Sequence, residues 1–102
     1  MVTELRHYIA AEGKADAMHK VMKNDVLPIL KRLNFRITDY WVQDSDAHHV
    51  WYVMTWDSKQ AVQDGWAKFR ADADWLRVKE ANGLVFGKVE SLILNEVPEM
   101  KI

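Results

Sequence analysis

The sequence predicts an α+β fold in which one four-stranded antiparallel sheet carries its helices on a single face. Three observations lead there. Apolar residues alternate with period two in some segments and recur every three or four residues in others, the signatures of half-buried strands and amphipathic helices. These segments follow one another as strand, helix, strand, strand, helix, strand. The third is the stretch 49–58, HVWYVMTWDS, which is apolar on both parities, with Val50, Tyr52, Met54 and Trp56 on one and Trp51 and Val53 on the other. A strand of that kind needs cover on both faces.

Taken in order, residues 3–9 alternate Leu5, His7 and Ile9 with Glu4, Arg6 and Tyr8, the period of a strand. After a turn over 10–13 ending in glycine, Ala15, Met18, Met22, Val26, Ile29 and Leu33 form the apolar stripe of a long helix, opposite Lys14, Lys20, Lys23, Asn24 and Lys31. Pro28 has no backbone donor and clashes with the turn before it, which predicts a kink or break over 24–27. Asn34 suits the left-handed residue that ends a helix. Residues 35–43, rich in β-branched and aromatic side chains, read as the second strand. The turn Asp44-Ser45-Asp46-Ala47 folds it antiparallel onto the strand within 49–58.

Ser58 is the expected cap of the next helix, with Ala61, Val62, Trp66 and Phe69 on one side. Gly65 inside that helix costs about 1 kcal/mol relative to Ala and predicts a close approach to the sheet. Asp72 or Asp74 can cap a further turn containing Trp75, Leu76 and Val78, closed by Asn82-Gly83. The last strand covers 84–97, bends at Gly87 and stops at Pro98, leaving a short tail. This order is the ferredoxin-like βαββαβ pattern.

The 102 residues, 49% hydrophobic and 28% charged, fit one domain over 1–102 with a real core. Fourteen Lys and Arg against fifteen Asp and Glu leave a net charge of -1, so no field draws nucleic acid or an anionic membrane to the protein. The absence of cysteine removes disulfides, thiolate metal sites and thiol catalysis, and fits a reducing compartment. Glu4, Arg6 and His7 stand where a signal peptide needs an apolar core, and no run approaches a membrane span. The expected location is cytoplasmic.

Two helices cannot cover both sides of the sheet. Strands about 18 Å long and about 4.8 Å apart leave a face of roughly 350 Å², large enough to need a partner if apolar. Tyr8, Tyr40, Tyr52, Met54 and Trp56 are assigned to that face, which predicts a homodimer with two sheets facing each other.

These residues also suggest a family. Glu4-Leu5-Arg6-His7-Tyr8 resembles the E-L-R-x-Y opening of NIPSNAP-family domains, and Trp56-Asp57-Ser58 is similar to their aromatic-Asp-Ser step from third strand to second helix. Asp72-Ala73-Asp74-Trp75 looks like the D-P-x-W that follows. The resemblance implies a dimeric α/β barrel, in a superfamily that includes cofactor-free monooxygenases, haem-degrading enzymes and lactone isomerases, and it implies no settled activity. Ala73 stands where the family usually has proline. The family's arginine early in the second helix is replaced by Gln60, Val62 and Gln63, so no role resting on it carries over. The Asn, Trp and His arrangement of the haem-degrading relatives places its histidine in the second helical region, and this chain has none after His49.

The candidate ligand-binding residues are Glu4, Arg6, Tyr8, Tyr52 and Trp56. In a confined space Arg6 can fix an acid or enolate oxygen and Tyr8 can donate a proton, with Tyr52 and Trp56 as an aromatic wall. The competing and preferred readings are an internal Glu4–Arg6 pair and ordinary interface packing of the aromatics. His7, between Leu5 and Ile9, reads as a hydrogen-bonded core residue, and His19 as a boundary residue. Asp44, Asp46, His48 and His49 crowd one turn without the spacing of a metal site, so neither metal nor cofactor is expected. Three functions remain: a NIPSNAP-like module holding a small apolar or acidic molecule, a cofactor-free monooxygenase or isomerase, and a purely structural or partner-binding dimer. A pocket of roughly 300 Å³ or more between sheet and helices, lined by Arg6 or Tyr8, separates the first two from the third.

Overall fold

The computed structural model describes residues 1–100. Four strands, β1 (Val2–Ala10), β2 (Arg36–Val42), β3 (His49–Trp56) and β4 (Phe86–Asn95), form one antiparallel sheet in the order β2-β3-β1-β4. Between β1 and β2 the chain is helical, as α1 (Ala15–Val21), a π-helical turn (Met22–Val26) and α2 (Leu27–Arg32). Between β3 and β4 lie α3 (Lys59–Ala71) and α4 (Ala73–Asn82), and a 3-10 turn (Pro98–Met100) follows β4. The expected element order and α+β ferredoxin-like fold are observed. The last two residues of the expected tail lie outside the described residues.

The local signals act where they were expected. Pro28 stands at the start of α2, and the helix widens into its π turn over the residues just before it. Asn34 takes φ 67° and ends α2. Ser58 caps α3 by accepting the Ala61 amide at 3.1 Å. Asp72 is extended, breaks α3 from α4, and accepts the Trp75 amide at 3.1 Å. Gly87 falls where the β1–β4 register slips between Ile9 and Ala10, so the expected bend is a bulge. A Cβ at Gly65 would lie 2.4 Å from two ring carbons of Trp56, so the close approach is to that indole.

The core lies between one sheet face and the helices. From β3 it takes Val50, Tyr52 and Met54, all fully buried, and Trp56; the helices contribute Met18, Met22, Val26, Leu30, Trp66 and Phe69. This corrects one assignment. Tyr8, Tyr40, Tyr52, Met54 and Trp56 do not face a second sheet; they lie on the helix side. The register explains it: Glu4, Arg6 and Tyr8 sit opposite Met54, Tyr52 and Val50, so β1 presents its polar parity on the same face as the bulky parity of β3. Leu5, His7 and Ile9 therefore fall on the open face, with Trp51 and Val53 of β3, Trp41 of β2, and Leu92 and Leu94 of β4. No helix among the described residues is long and apolar enough to cross a membrane.

Candidate functional site

Glu4 is the one buried charged residue among the described residues, with 1% of its surface exposed. Its Oε1 accepts the indole N–H groups of Trp56 at 3.0 Å and Trp66 at 2.8 Å. Its Oε2 accepts from Arg6 Nη1 at 3.1 Å and from the Ser91 hydroxyl at 2.6 Å. A buried carboxylate is tolerable only when charge and hydrogen bonds compensate it, and four donors from β1, β3, α3 and β4 do so.

Arg6 continues the network. Its guanidinium lies 4.0 Å from the centre of the Trp66 ring, a cation–π contact, and its Nη2 donates to the Tyr8 hydroxyl at 2.9 Å. Its Nε is buried with no hydrogen-bond partner among the described residues. Burial alone would weaken its hold on its proton, but the Tyr8 and Tyr52 phenols, the bond to Tyr8 and the charge of Glu4 outweigh burial and raise its pKa. The Tyr8 and Tyr52 hydroxyls are 2.6 Å apart. Burial, and then the neighbouring Tyr8, pushes the Tyr52 phenol well above its ordinary pKa, and the same two causes push Tyr40 up to about 12.

Beside this network is a cavity of about 280 Å³. Val26, Trp66, Phe69, Trp75, Phe86 and Val89 make its apolar wall, and Arg6, Tyr8, Arg70 and Lys79 are its polar lining. Phe69 and Trp75 stack at 4.8 Å and 29°, while Phe86 meets Tyr8 edge-on at 5.4 Å. The volume is slightly below the roughly 300 Å³ at which small-molecule sites usually begin, so it suits a small ligand.

The five candidates come together as one connected group under the helices, not between two sheets. Arg6 and Tyr8 line the cavity. Glu4 stands behind Arg6, Tyr52 behind Tyr8, and Trp56 holds Glu4 from the β3 side. Sequence reasoning missed Trp66, Ser91, Arg70, Trp75 and Lys79 as parts of the site. Trp66 carried a partial signal, since a buried indole N–H needs an acceptor, but nothing in the sequence pointed to Glu4, 62 residues away, as that acceptor.

The expected core position of His7 is also corrected. It is hydrogen-bonded, but on the open sheet face, because its parity is that of Leu5 and Ile9. Its ring stacks on Trp51 at 3.7 Å, Nε2 lies 2.7 Å from His49 Nδ1, and Nδ1 lies 3.2 Å from Glu90. His19 Nε2 donates to the Ala47 carbonyl at 2.7 Å. In the β2–β3 turn, Asp46 accepts the His48 amide at 3.0 Å, so an Asx side chain caps the backbone of its own turn.

The NIPSNAP family model matches residues 3–99. No curated protein matches the sequence. Among solved structures, an uncharacterised NIPSNAP domain protein from Burkholderia xenovorans is similar at 22% identity, with 95% of each chain covered and a TM-score of 0.80. A NIPSNAP family protein from Agrobacterium tumefaciens strain C58 is 18% identical over 94% of this chain and 92% of its own, with a TM-score of 0.82. An antibiotic biosynthesis monooxygenase shares the fold at 12% identity, covering 96% of this chain and all of its own, with a TM-score of 0.71.

Proposed function

This chain belongs to the NIPSNAP family, and on that premise we propose that it binds a small apolar or acidic molecule between its sheet and helices and works as a homodimer. The binding reading rests on the cavity: an apolar, largely aromatic wall with a few convergent polar groups, among them Arg6 and Tyr8, is the composition of a small-molecule site. Native mass spectrometry of freshly purified protein tests it. One retained small molecule per chain is expected, and Trp75→Ala, which opens the wall, loses it. If nothing is retained, and no acid from an aromatic and medium-chain panel perturbs tryptophan fluorescence, the purely structural dimer replaces this reading.

The second copy is supported by the open face, where Leu5, Ile9, Trp41, Trp51, Val53 and Leu92 make an apolar patch, flanked by polar residues such as His7 and Glu90, on the side of the sheet away from the helices of the described residues. A two-fold pairing of that face buries it against itself. Light scattering behind a sizing column at micromolar concentration should give the mass of two chains. A single-chain mass removes the dimer and leaves the pocket, which one chain lines alone.

A second reading, a cofactor-free monooxygenase or isomerase, is favoured by one observation. Tyr8 lines the cavity and its hydroxyl is held by Arg6 and Tyr52, an arrangement able to stabilise the oxygen of an enolate that reaches it. Oxygen uptake or isomerisation with an enolisable acid, abolished in Tyr8→Phe, is its test.

A further inference from the structure

We propose that the pocket's ligand is an oxo acid: an apolar body bearing a carbonyl oxygen that Tyr8 reads, and a carboxylate at the mouth beside Arg70 and Lys79. This deepens, and rests on, the pocket reading above.

The carbonyl follows from counting hydrogens on the tyrosine pair. Tyr52 is fully buried, and the one acceptor its hydroxyl meets among the described residues is the Tyr8 oxygen at 2.6 Å, since the neighbouring Arg6 guanidinium can only donate. If Tyr8 donated to Tyr52, the Tyr52 hydrogen would be buried with no acceptor, the costly arrangement for a polar group. The satisfied arrangement has Tyr52 donating to Tyr8. The Tyr8 oxygen then accepts twice, from Tyr52 and from Arg6 Nη2 at 2.9 Å. Its own hydrogen is left over. Tyr8 lines the cavity, so a ligand that reaches its hydroxyl meets a free hydrogen, and a phenol accepting from a guanidinium and a second phenol is a strengthened donor. The group it suits is a carbonyl oxygen.

The carboxylate follows from the charge of the lining. Arg6, Arg70 and Lys79 are its charged members, and no carboxylate lines the cavity. Glu4 lies behind Arg6 and compensates it alone. Arg70 and Lys79 are solvent-exposed residues of α3 and α4, and neither pairs with a carboxylate among the described residues. Two unpaired cations at the mouth of an aromatic pocket favour an anion that keeps its head in water and its body inside. At about 30 Å³ for each water-sized group, 280 Å³ holds a single ring with a short side chain.

Three probes separate the parts: benzoylpropionate, which has ring, carbonyl and acid; phenylbutyrate, which lacks the carbonyl; and methyl benzoylpropionate, which lacks the charge. Binding is read by calorimetry and by fluorescence of Trp66 and Trp75, which line the site. Benzoylpropionate is expected to bind about three- to tenfold more tightly than phenylbutyrate, the worth of one hydrogen bond. It should exceed the ester by about three- to tenfold, a margin that shrinks with salt. Tyr8→Phe should abolish the first preference and keep the second; Arg70→Gln with Lys79→Gln should do the reverse. Because Tyr8→Phe strands the Tyr52 hydroxyl, the double variant Tyr8→Phe with Tyr52→Phe, which leaves no hydroxyl unpaired, serves if the single variant folds poorly. Equal binding of all three probes, or preferences unmoved by these variants, overturns the oxo-acid proposal and leaves the pocket standing. If no probe binds, the oxo acid is overturned, and retention of a different molecule in native mass spectra decides whether the pocket reading survives.

Discussion

Replacing Glu4 by glutamine keeps the shape of the side chain and removes its charge, so it measures what the buried network contributes. The amide oxygen can stay beneath the indoles of Trp56 and Trp66, which places the amide NH2 where Oε2 now meets Arg6 and Ser91. The Ser91 hydroxyl can rotate and accept. The Arg6 guanidinium cannot, and it is left with 14% exposure, its charge uncompensated and a donor pointing at a donor. Removing one partner of a buried ion pair costs about 3–5 kcal/mol, and the residual exposure of Arg6 puts this case near the lower end, about 3 kcal/mol. For a chain of this size that is a fall in Tm of about 12–24 °C. Urea unfolding followed by tryptophan fluorescence should show a lower midpoint with an unchanged slope. The pairwise part is isolated by making Arg6→Met alone and with Glu4→Gln, where a coupling of at least about 1 kcal/mol is expected. A loss below about 1 kcal/mol, or no coupling, would refute the claim that Glu4 and Arg6 hold each other in the core.

Two other outcomes are checked by ordinary stability and titration measurements. Gly65→Ala should destabilise by about 1–2 kcal/mol although helix propensity favours Ala by about 1 kcal/mol, because the new methyl meets Trp56 ring carbons at 2.4 Å. Trp56 cannot retreat cheaply, being packed edge-on against Phe35 and bonded to Glu4, and a stabilised variant in urea melts contradicts this. In alkaline titration Tyr40 and Tyr52 should ionise late, Tyr40 near 12. A phenol whose folded pKa exceeds its unfolded value of about 10 binds its proton more tightly when folded, so its contribution is complete below pH about 10 and is lost as pH rises through the folded value. Tyrosinate absorbance should therefore lag behind free tyrosine until unfolding, and Tyr52→Phe should remove one of the late groups; ionisation of both near 10 without unfolding is the opposing result.

Local features of this fold were legible in the sequence because their causes are local. Pro28, Asn34, Ser58 and Asp72 each act within a few residues, through a missing donor, a left-handed conformation or a side-chain cap. The grouping of Glu4, Arg6 and Tyr8 with Tyr52 and Trp56 was legible as well, since it needs only the period of a strand and the pairing of neighbours. Which side that group faces was not. Leu5 and Ile9 are the aliphatic residues of β1 besides Val2 and Ala10 at its ends, and a rule that puts large aliphatic residues inward places them under the helices. The rule fails because the partners that make Glu4 burial tolerable are remote: Trp66 is 62 residues away on α3 and Ser91 is 87 residues away on β4. Arg70 and Lys79 belong to the site through the packing of α3 and α4, and nothing in their own neighbourhood marks them.

The polar network under the helices and the apolar patch on the open sheet face are one choice seen from two sides. Side chains alternate along β1, so turning Glu4, Arg6 and Tyr8 towards the helices turns Leu5, His7 and Ile9 outwards, and a slip of one residue would reverse both. The reversed register would bury aliphatic groups and leave the Trp56 and Trp66 indoles without Glu4, closing the cavity to Arg6 and Tyr8. The observed register instead places a cation and a polarised phenol at the cavity, and it leaves an apolar sheet face uncovered. The proposed ligand site and the proposed face for a second copy are thus the two surfaces of the same nine-residue strand. A substitution that stabilises the open face by making it polar, such as Leu92→Lys, should cost the dimer and leave ligand binding intact, because its cause acts on one surface only.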